Sequence, residues 1–187
     1  MTELPFARSP EECLLYMELH PCRCGEADFL WSEHRLLQIE AQLASAYEGD
    51  CPGCGRRRRF TFAVSEEIAP PPAFGGAEPS RIIEPHEFLT LSRRAAAFAG
   101  RDPARMSETA VEDGLGAVET AIAALEEVLK FIPAGADAVP ASAFVSPAGR
   151  AAHAGAVRHY ERAALEAELA SFHELERAYA RRLGATP

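Results

Sequence analysis

The most regular hydrophobic pattern of the chain lies in its second half. Apolar residues recur there at alternating intervals of four and three positions, at Val111, Leu115, Val118, Ile122, Leu125, Leu129 and Ile132. This spacing puts them on one face of an α-helix and predicts a seam that packs lengthwise against another helix. Thr109 and Glu112 predict a capping box at the start of this helix, and Pro133 ends it.

Two further helical segments lie on either side of this seam. Residues 85–99 are predicted to form a helix that stops at Gly100. After Ser146 and Pro147 a second apolar stripe follows, made of Val157, Tyr160, Ala164, Leu165, Leu169, Phe172, Leu175, Tyr179 and Leu183. Gly149 and Gly155 are expected to break the front of this region into a separate turn. The two long helices can then pair antiparallel.

The first half of the chain shows a shorter period. Apolar and polar side chains alternate over residues 36–48, which is typical of a half-buried strand, although four of the apolar positions also fit a helix. The alternation resumes after Cys54 with Phe60, Phe62 and Val64. A strand on each side of the second cysteine pair would form a hairpin, so strand is the preferred prediction for residues 36–48.

A short helix is predicted near the N-terminus. Ser9 can cap it, Pro10 suits its first position, and Glu12 would complete a capping box. The helix should stop at His20, because that residue precedes a proline. Cys13 lies on this helix among apolar residues and is expected to be a buried structural cysteine.

Four of the five cysteines occur as two close pairs, and a glycine follows each pair. Two short turns that each offer two thiolates can build a tetrahedral metal site. The glycine allows the positive backbone angle of such a tight turn. The sequence therefore predicts a structural zinc site whose ligands are Cys22, Cys24, Cys51 and Cys54.

Other interpretations use the same region. Cys51 and Cys54 could form a redox pair, but such pairs usually begin a helix, whereas this one leads into a predicted strand. His20 and His34 could replace a thiolate, but with four thiolates present we expect them on the surface or in supporting positions. A site closed by four thiolates leaves no position for water, so its metal would brace the fold and perform no catalysis.

Composition narrows the functional classes. The 187 residues carry a formal net charge of −9 and a pI of about 5.2, which argues against bulk binding to nucleic acid or to an anionic membrane. The first ten residues lack the apolar segment of a signal peptide, and no apolar run approaches the roughly 20 residues of a membrane helix. We therefore expect a cytoplasmic protein, in which reduced cysteine pairs favour metal over disulfide.

Composition also divides the chain. Residues 69–80 are rich in proline and glycine and are expected to form an extended linker. Residues 1–68 would hold the short helix and a four-cysteine, zinc-ribbon-like antiparallel β unit, and residues 81–187 would form a helical unit. The predicted fold class is α+β, with the β unit packed against the C-terminal helical bundle, because a two-stranded hairpin alone is marginal in water.

Four consecutive arginines follow the second cysteine pair: Arg56, Arg57, Arg58 and Arg59. In zinc ribbons such residues often touch phosphate, which makes them candidates for contact with nucleic acid or another partner. Alternatively, they offset the negative charge of a tetrathiolate site on an exposed hairpin. The acidic balance of the chain favours this second interpretation.

Three carboxylates of the long helix, Glu112, Glu119 and Glu126, repeat every seven residues and share one face. Di-iron bundles need Glu-x-x-His pairs, and no glutamate of this sequence has a histidine three residues later. A solvated acidic face is the preferred interpretation. The remaining histidines have no recognisable nucleophile partner, so no catalytic residue is predicted.

Three segments carry a resemblance to known proteins. The stretch CPGCGRRRRFTF resembles zinc ribbons, and the stretches FGGAEPSRII and FVSPAGRAAHAGAVRHYERAALEAEL are similar to parts of uncharacterised zinc-ribbon-containing proteins of high-GC bacteria. The resemblance covers most of the chain and supplies no activity. It implies a metal-binding role for the four paired cysteines only, and the single-residue spacer of CRCG departs from the usual ribbon.

The sequence favours a non-enzymatic zinc-binding protein that acts as an adaptor or regulator of a protein partner. An immunity-type protein that masks a basic partner would fit its size and acidity. One alternative is a nucleic-acid-associated zinc ribbon that uses Arg56 to Arg59. Another is an enzyme with a site between the helices and the arm of residues 69–80. No membrane partner is expected.

Overall fold

The computed structural model describes residues 4–65, 70–100 and 102–184, and the chain divides into two compact units. The first unit comprises Met1–Gly76 and Ser80–Ile83, and the second comprises Ala77–Pro79 and Glu84–Pro187. A four-stranded sheet and five α-helices confirm the predicted α+β class. In the described part of the chain, no helix is both long enough and apolar enough to cross a membrane.

The first unit is a mixed sheet with one helix. Its elements in chain order are β1 (Phe6–Ala7), α1 (Pro10–Leu19), β2 (Leu30–Ile39), β3 (Gln42–Asp50) and β4 (Arg57–Val64). The strand order is β1-β4-β3-β2. Strands β2, β3 and β4 are antiparallel, as expected, whereas the two-residue β1 runs parallel to β4 and has no counterpart in the sequence analysis.

The strand prediction for residues 36–48 is confirmed, but the segment is a hairpin rather than one strand. Residues Ile39 and Gln42 face each other across a two-residue turn, in which Glu40 has a φ of 55°. Because directly paired residues point to the same side of a sheet, Leu37 and Ile39 lie on one face and Leu43 on the other. The single apolar alternation in the sequence therefore serves both faces.

Helix α1 begins as expected, with one change in its cap. Ser9 Oγ accepts a hydrogen bond from the Glu12 amide at 3.0 Å, and Pro10 is the first helical residue. The Glu12 carboxylate does not close the expected capping box. It accepts instead from the Arg8 amide at 2.6 Å and from the Arg8 guanidinium at 2.7 Å. A buried ion pair thus fixes the chain entering α1.

The core of the first unit lies between α1 and the sheet. Cys13 and Met17 of α1 pack there against Tyr47 of β3 and Phe62 of β4. Cys13 is 1% exposed, and burial raises the pKa of its thiol to about 12. The prediction that Cys13 is a buried structural cysteine is therefore confirmed.

Part of the predicted linker belongs to this unit. Phe74 is buried, and its carbonyl accepts a hydrogen bond from Ser9 Oγ at 2.8 Å. Gly75 lies so close to Arg8 that a Cβ there would be 2.7 Å from the Arg8 Cβ. Residues 1–3 and 66–68 of the first predicted segment, and residue 69 of the linker, lie outside the described residues.

The second unit is helical. Its α-helices are α2 (Pro85–Ala99), α3 (Glu108–Lys130), α4 (Pro147–Gly155) and α5 (Arg162–Arg182). Short 3-10 turns cover Pro103–Arg105, Ala141–Ala143 and Val157–Tyr160. The helix at 85–99 and the break after Gly155 agree with the sequence analysis, whereas Gly149 does not break the chain and lies in the first turn of α4. The predicted capping box at Thr109 is wrong, because Ser107 caps α3 by accepting a hydrogen bond from the Ala110 amide.

The predicted seam of α3 faces the core. Val111, Val118 and Leu125 are fully buried, and the first two pack in a cluster with Tyr179 of α5. Tyr179 belongs to the end of α5 and lies beside Gly114, near the start of α3. The two long helices therefore run antiparallel, as predicted.

Packing requires a glycine at position 114 of α3 but not at position 116. A Cβ at Gly114 would lie 2.3 Å from Cε1 of Tyr179, whose hydroxyl donates to the carbonyl of Ala99. A Cβ at Gly116 would meet nothing within 4 Å. The helix therefore carries one glycine that a partner side chain requires and one that is merely a weak helix former.

We predict opposite effects for alanine at these two glycines. Gly114→Ala should lower the free energy of unfolding by about 1–3 kcal/mol, because Tyr179 must move from a packed position. Gly116→Ala should raise it by up to about 1 kcal/mol through helix propensity alone. Urea denaturation followed by circular dichroism measures both. Equal effects of the two substitutions would show that Tyr179 does not pack on α3 in solution.

Candidate metal centre

The four paired cysteines come together in the first unit. The Sγ atoms of Cys22, Cys24, Cys51 and Cys54 all lie within 4.8 Å of one another. Cys22 Sγ is 3.7 Å from Cys54 Sγ, and Cys24 Sγ is 3.6 Å from Cys51 Sγ. These separations are far longer than the roughly 2.05 Å of a disulfide bond. They match the edge of about 3.8 Å of a tetrahedron whose centre lies about 2.3 Å from each sulfur.

The two cysteine turns close with the same pair of backbone hydrogen bonds. In the first turn, the Cys22 amide donates to Glu26 at 2.7 Å and the Gly25 amide donates to Cys22 at 2.8 Å. In the second turn, the Cys51 amide donates to Arg56 at 2.9 Å and the Gly55 amide donates to Cys51 at 2.8 Å. The first turn is one residue shorter, so its one-residue spacer still presents both sulfurs to one point.

Glycine is needed after each pair for the reason given from the sequence. Gly25 has a φ of 95° and Gly55 a φ of 68°, both in the left-handed region. No atom lies within 4 Å of a Cβ built at either glycine, so the requirement is one of backbone angle and not of space.

Strand pairing fixes where the two turns stand. The last pair of the β3–β4 ladder joins Asp50 to Arg57, so the second turn is the tip of this hairpin. The first turn lies between α1 and β2, and β2 pairs with β3 from Leu30 onward. The sheet therefore brings together two turns that are separated by almost thirty residues.

The environment of Cys22 favours a thiolate. A hydrogen bond from the Cys24 amide, followed by bonds with the other cysteines, lowers the pKa of Cys22 to about 6. Cys22 and Cys51 are buried, whereas Cys24 and Cys54 are exposed. A metal ligand must be deprotonated, so the arrangement favours the form of Cys22 that binds metal.

The two histidines of this region stand outside the cluster. The ring of His20 stacks on Tyr16, and its Nδ1 lies 2.8 Å from the carbonyl oxygen of Tyr16. The ring of His34 stacks on Tyr47, and its Nε2 lies 2.8 Å from Ser45 Oγ. Within the described residues, the four cysteines form the one His, Cys, Asp or Glu group close enough to hold a metal ion.

The arginine run is largely engaged within the sheet. Arg57 donates to Glu48 at 3.0 Å, and Arg59 approaches the same carboxylate at 3.2 Å. The hydrogen bond from Arg57 is the main cause of the lowered pKa of Glu48. Arg56 is exposed, and it shares a shallow cleft beside Cys22 with Arg23. These cations lie where they can offset the charge of the thiolates.

Arg58 has a supporting role that the sequence analysis missed. Its guanidinium donates to the carbonyl of His20 at 2.5 Å and to that of Asp28 at 3.3 Å. It also lies 4.9 Å from the ring centre of Phe29 and 5.1 Å from that of Phe60. The side chain is 8% exposed. Arg58 therefore joins the two chain segments that enter and leave the first cysteine turn.

The signal for Arg58 was present in the alternation of β4. Residues 58, 60 and 62 share one face of the strand, and that face carries the two phenylalanines of the core. An arginine on the core side of a strand is buried and must have partners.

Glu112, Glu119 and Glu126 lie on the outer side of α3, whereas Glu127 of the same helix is buried and pairs with Lys130. Glu112 and Glu126 are exposed and Glu119 is half-buried. No ion-pair partner is found for these three carboxylates among the described residues.

Comparison with protein-family models, with curated proteins and with solved structures finds no match to this chain. The resemblance to zinc-ribbon-containing proteins of high-GC bacteria stays a prediction.

We predict that Arg58→Lys weakens the cysteine cluster. A lysine cannot bond both carbonyls with a planar fork, so the free energy of unfolding should fall by about 2 kcal/mol. A chelator should also strip metal from the variant faster than from the unchanged protein. Arg56→Lys is the matched control, because it changes an exposed arginine only two positions away, and both properties should stay constant. Identical stripping rates for the two variants would contradict the role of Arg58.

Proposed function

We propose that the four cysteines hold one structural zinc ion and that the protein is a non-enzymatic, cytoplasmic binding protein. The observation that carries the zinc proposal is the separation of the sulfurs, which all lie within 4.8 Å of one another and are 3.7 and 3.6 Å apart in two cross-turn pairs. Four tetrahedral thiolates select zinc or iron among the common metals. Zinc is proposed because a site that braces a fold needs no redox activity.

The ligand set supports a structural rather than a catalytic role for the metal. Catalytic zinc sites keep one position for water or substrate, and four protein thiolates would fill every position. The bound ion would stabilise the first unit by joining its two cysteine turns. Because the unfolded chain holds these turns apart, binding energy would then appear as folding energy.

The acidic charge of the chain supports a basic protein as its partner. Glu112, Glu119 and Glu126 lie along one side of α3, and the chain carries a net charge of −9. Complementary charge raises association rates and disfavours acidic competitors. We propose that this chain is an immunity-type or regulatory protein and that α3 covers a basic surface of its partner.

The nucleic-acid alternative has weaker support. A zinc ribbon that binds nucleic acid needs arginine or lysine side chains that are free to contact phosphate groups. Arg57 and Arg59 are paired with Glu48, and Arg58 is buried between backbone carbonyls. Arg56 alone would be a small electrostatic anchor.

The zinc proposal predicts one zinc ion per chain in purified protein. Cys51→Ser should remove the metal, because serine supplies no thiolate, and hydrogen exchange should then accelerate in β3 and β4 while α3 and α5 stay protected. Elemental analysis together with hydrogen exchange measures both results.

Cys13→Ser is the matched control, since Cys13 lies outside the cluster, and it should leave the metal content unchanged. Metal-free protein with a fully protected β3–β4 hairpin would refute the structural role. Iron instead of zinc would keep the ligands and refute the choice of metal.

The partner proposal predicts salt-sensitive capture of a basic protein that survives nuclease treatment. Replacing Glu112, Glu119 and Glu126 by glutamine should reduce this capture by about tenfold or more, because it removes the acidic side of α3. The control replaces three exposed carboxylates of α5 and its cap, Glu161, Glu166 and Glu174, in the same way. Equal loss in both triple variants would show that net charge, not α3, governs binding.

A further inference from the structure

Strand β2 (Leu30–Ile39) is an open edge of the sheet. It pairs with β3 on one side only, at the end of the order β1-β4-β3-β2 among the described residues. An edge strand presents alternate amide and carbonyl groups outward, where another strand can add to the ladder. Natural sheets usually protect so long an edge with proline, with charge or by covering it.

The side chains of this edge are unusually apolar. Eight large hydrophobic residues are exposed in the described part of the chain, and four of them belong to β2: Leu30, Trp31, Leu36 and Ile39. Leu36 is 64% exposed and lies near the middle of the strand. Such a concentration on one edge marks an interaction surface rather than scattered exposure.

We propose that two copies of this chain associate through antiparallel pairing of their β2 strands, which joins their sheets into one. The proposal rests on the edge and its charges and does not depend on zinc or on a basic partner. A twofold axis would pass beside Leu36, so that Leu36 of one copy faces Leu36 of the other.

The regular part of the strand selects this register. A bulge interrupts the β2–β3 ladder between Trp31 and Glu33, and pairing is regular from Glu33 to Ile39. A self-pairing centred on Leu36 uses all of this regular segment. A register centred on His34 would carry the bulge into the new ladder.

Charge disfavours two other arrangements. Glu33 and Arg35 form an ion pair within the strand. A parallel, in-register dimer would set Glu33 against Glu33 and Arg35 against Arg35, and an antiparallel register centred on Arg35 would also oppose two arginines. Centring on Leu36 sets Arg35 against Leu37 and Glu33 against Ile39, so no like charges face each other.

The test measures the mass of the full, metal-loaded chain in solution at rising concentration. The unchanged protein should approach twice the chain mass of 20.2 kDa. Leu36→Lys and Leu36→Glu should each weaken self-association by about tenfold or more, because two like charges would meet at the twofold axis. An equal mixture of the two variants should restore a dimer, and a tag on one variant should show that it is the mixed species.

Leu14→Lys is the control, because it places the same charge at another exposed leucine of the first unit, on α1. It should leave the dimer intact. Circular dichroism and metal content of every variant separate loss of pairing from loss of folding.

A chain that stays monomeric at all concentrations would overturn the proposal and leave the edge to a strand of a different protein. A dimer that persists in both Leu36 variants would place the interface elsewhere. Failure of the mixed variants to pair, where each alone is a folded monomer, would overturn the register centred on Leu36.

Discussion

The convergence of four cysteine sulfurs is the constraint on which the geometry of the two cysteine turns depends. Four sulfurs within 4.8 Å of one another repel each other once they are deprotonated, so a cation at their centre is the natural compensation. Three neighbouring features hold the cysteine turns in place. The β3–β4 hairpin carries one turn, the entry to β2 carries the other, and Arg58 fastens the shorter turn by its flanking carbonyls.

The helical unit obeys a different constraint, which is packing volume. The seam of α3 is a regular hydrophobic repeat. Helices α3 and α5 can approach closely because Gly114 leaves room for the ring of Tyr179. No charge or ligand is needed to hold α3 beside α5, because a buried apolar stripe supplies the stabilisation. Each unit has its own core, so removal of a metal should act on the sheet and leave the helical seam intact.

Local chemistry in the sequence predicted the elements well and their finer geometry less well. Cysteine spacing and helical period required few assumptions. The turn at Glu40 leaves no mark in the apolar pattern. Because it has two residues, the alternation continues unbroken through the turn, while the odd-numbered residues change from one face of the sheet to the other. Ser107 and Thr109 can both accept the capping hydrogen bond, and only the path of the chain makes Ser107 the cap. Arg58 belongs to a run of four like charges, and only its position in the alternation of β4 places it on the core side.

Charge is distributed unevenly, and this distribution connects the site with its surroundings. Several arginines lie beside the cysteine cluster, where Arg57 and Arg59 share the Glu48 carboxylate and Arg58 donates to backbone carbonyls. Glu112, Glu119 and Glu126 of α3 have no ion-pair partner among the described residues, whereas Glu127 of the same helix pairs with Lys130. An arginine paired with a carboxylate contributes little electrostatic attraction to a distant partner. Carboxylates without an ion-pair partner attract basic surfaces more strongly. The cysteine cluster is thus chemically the strongest feature of the described chain, whereas the carboxylates without an ion-pair partner lie on α3, a helix that contains no cysteine.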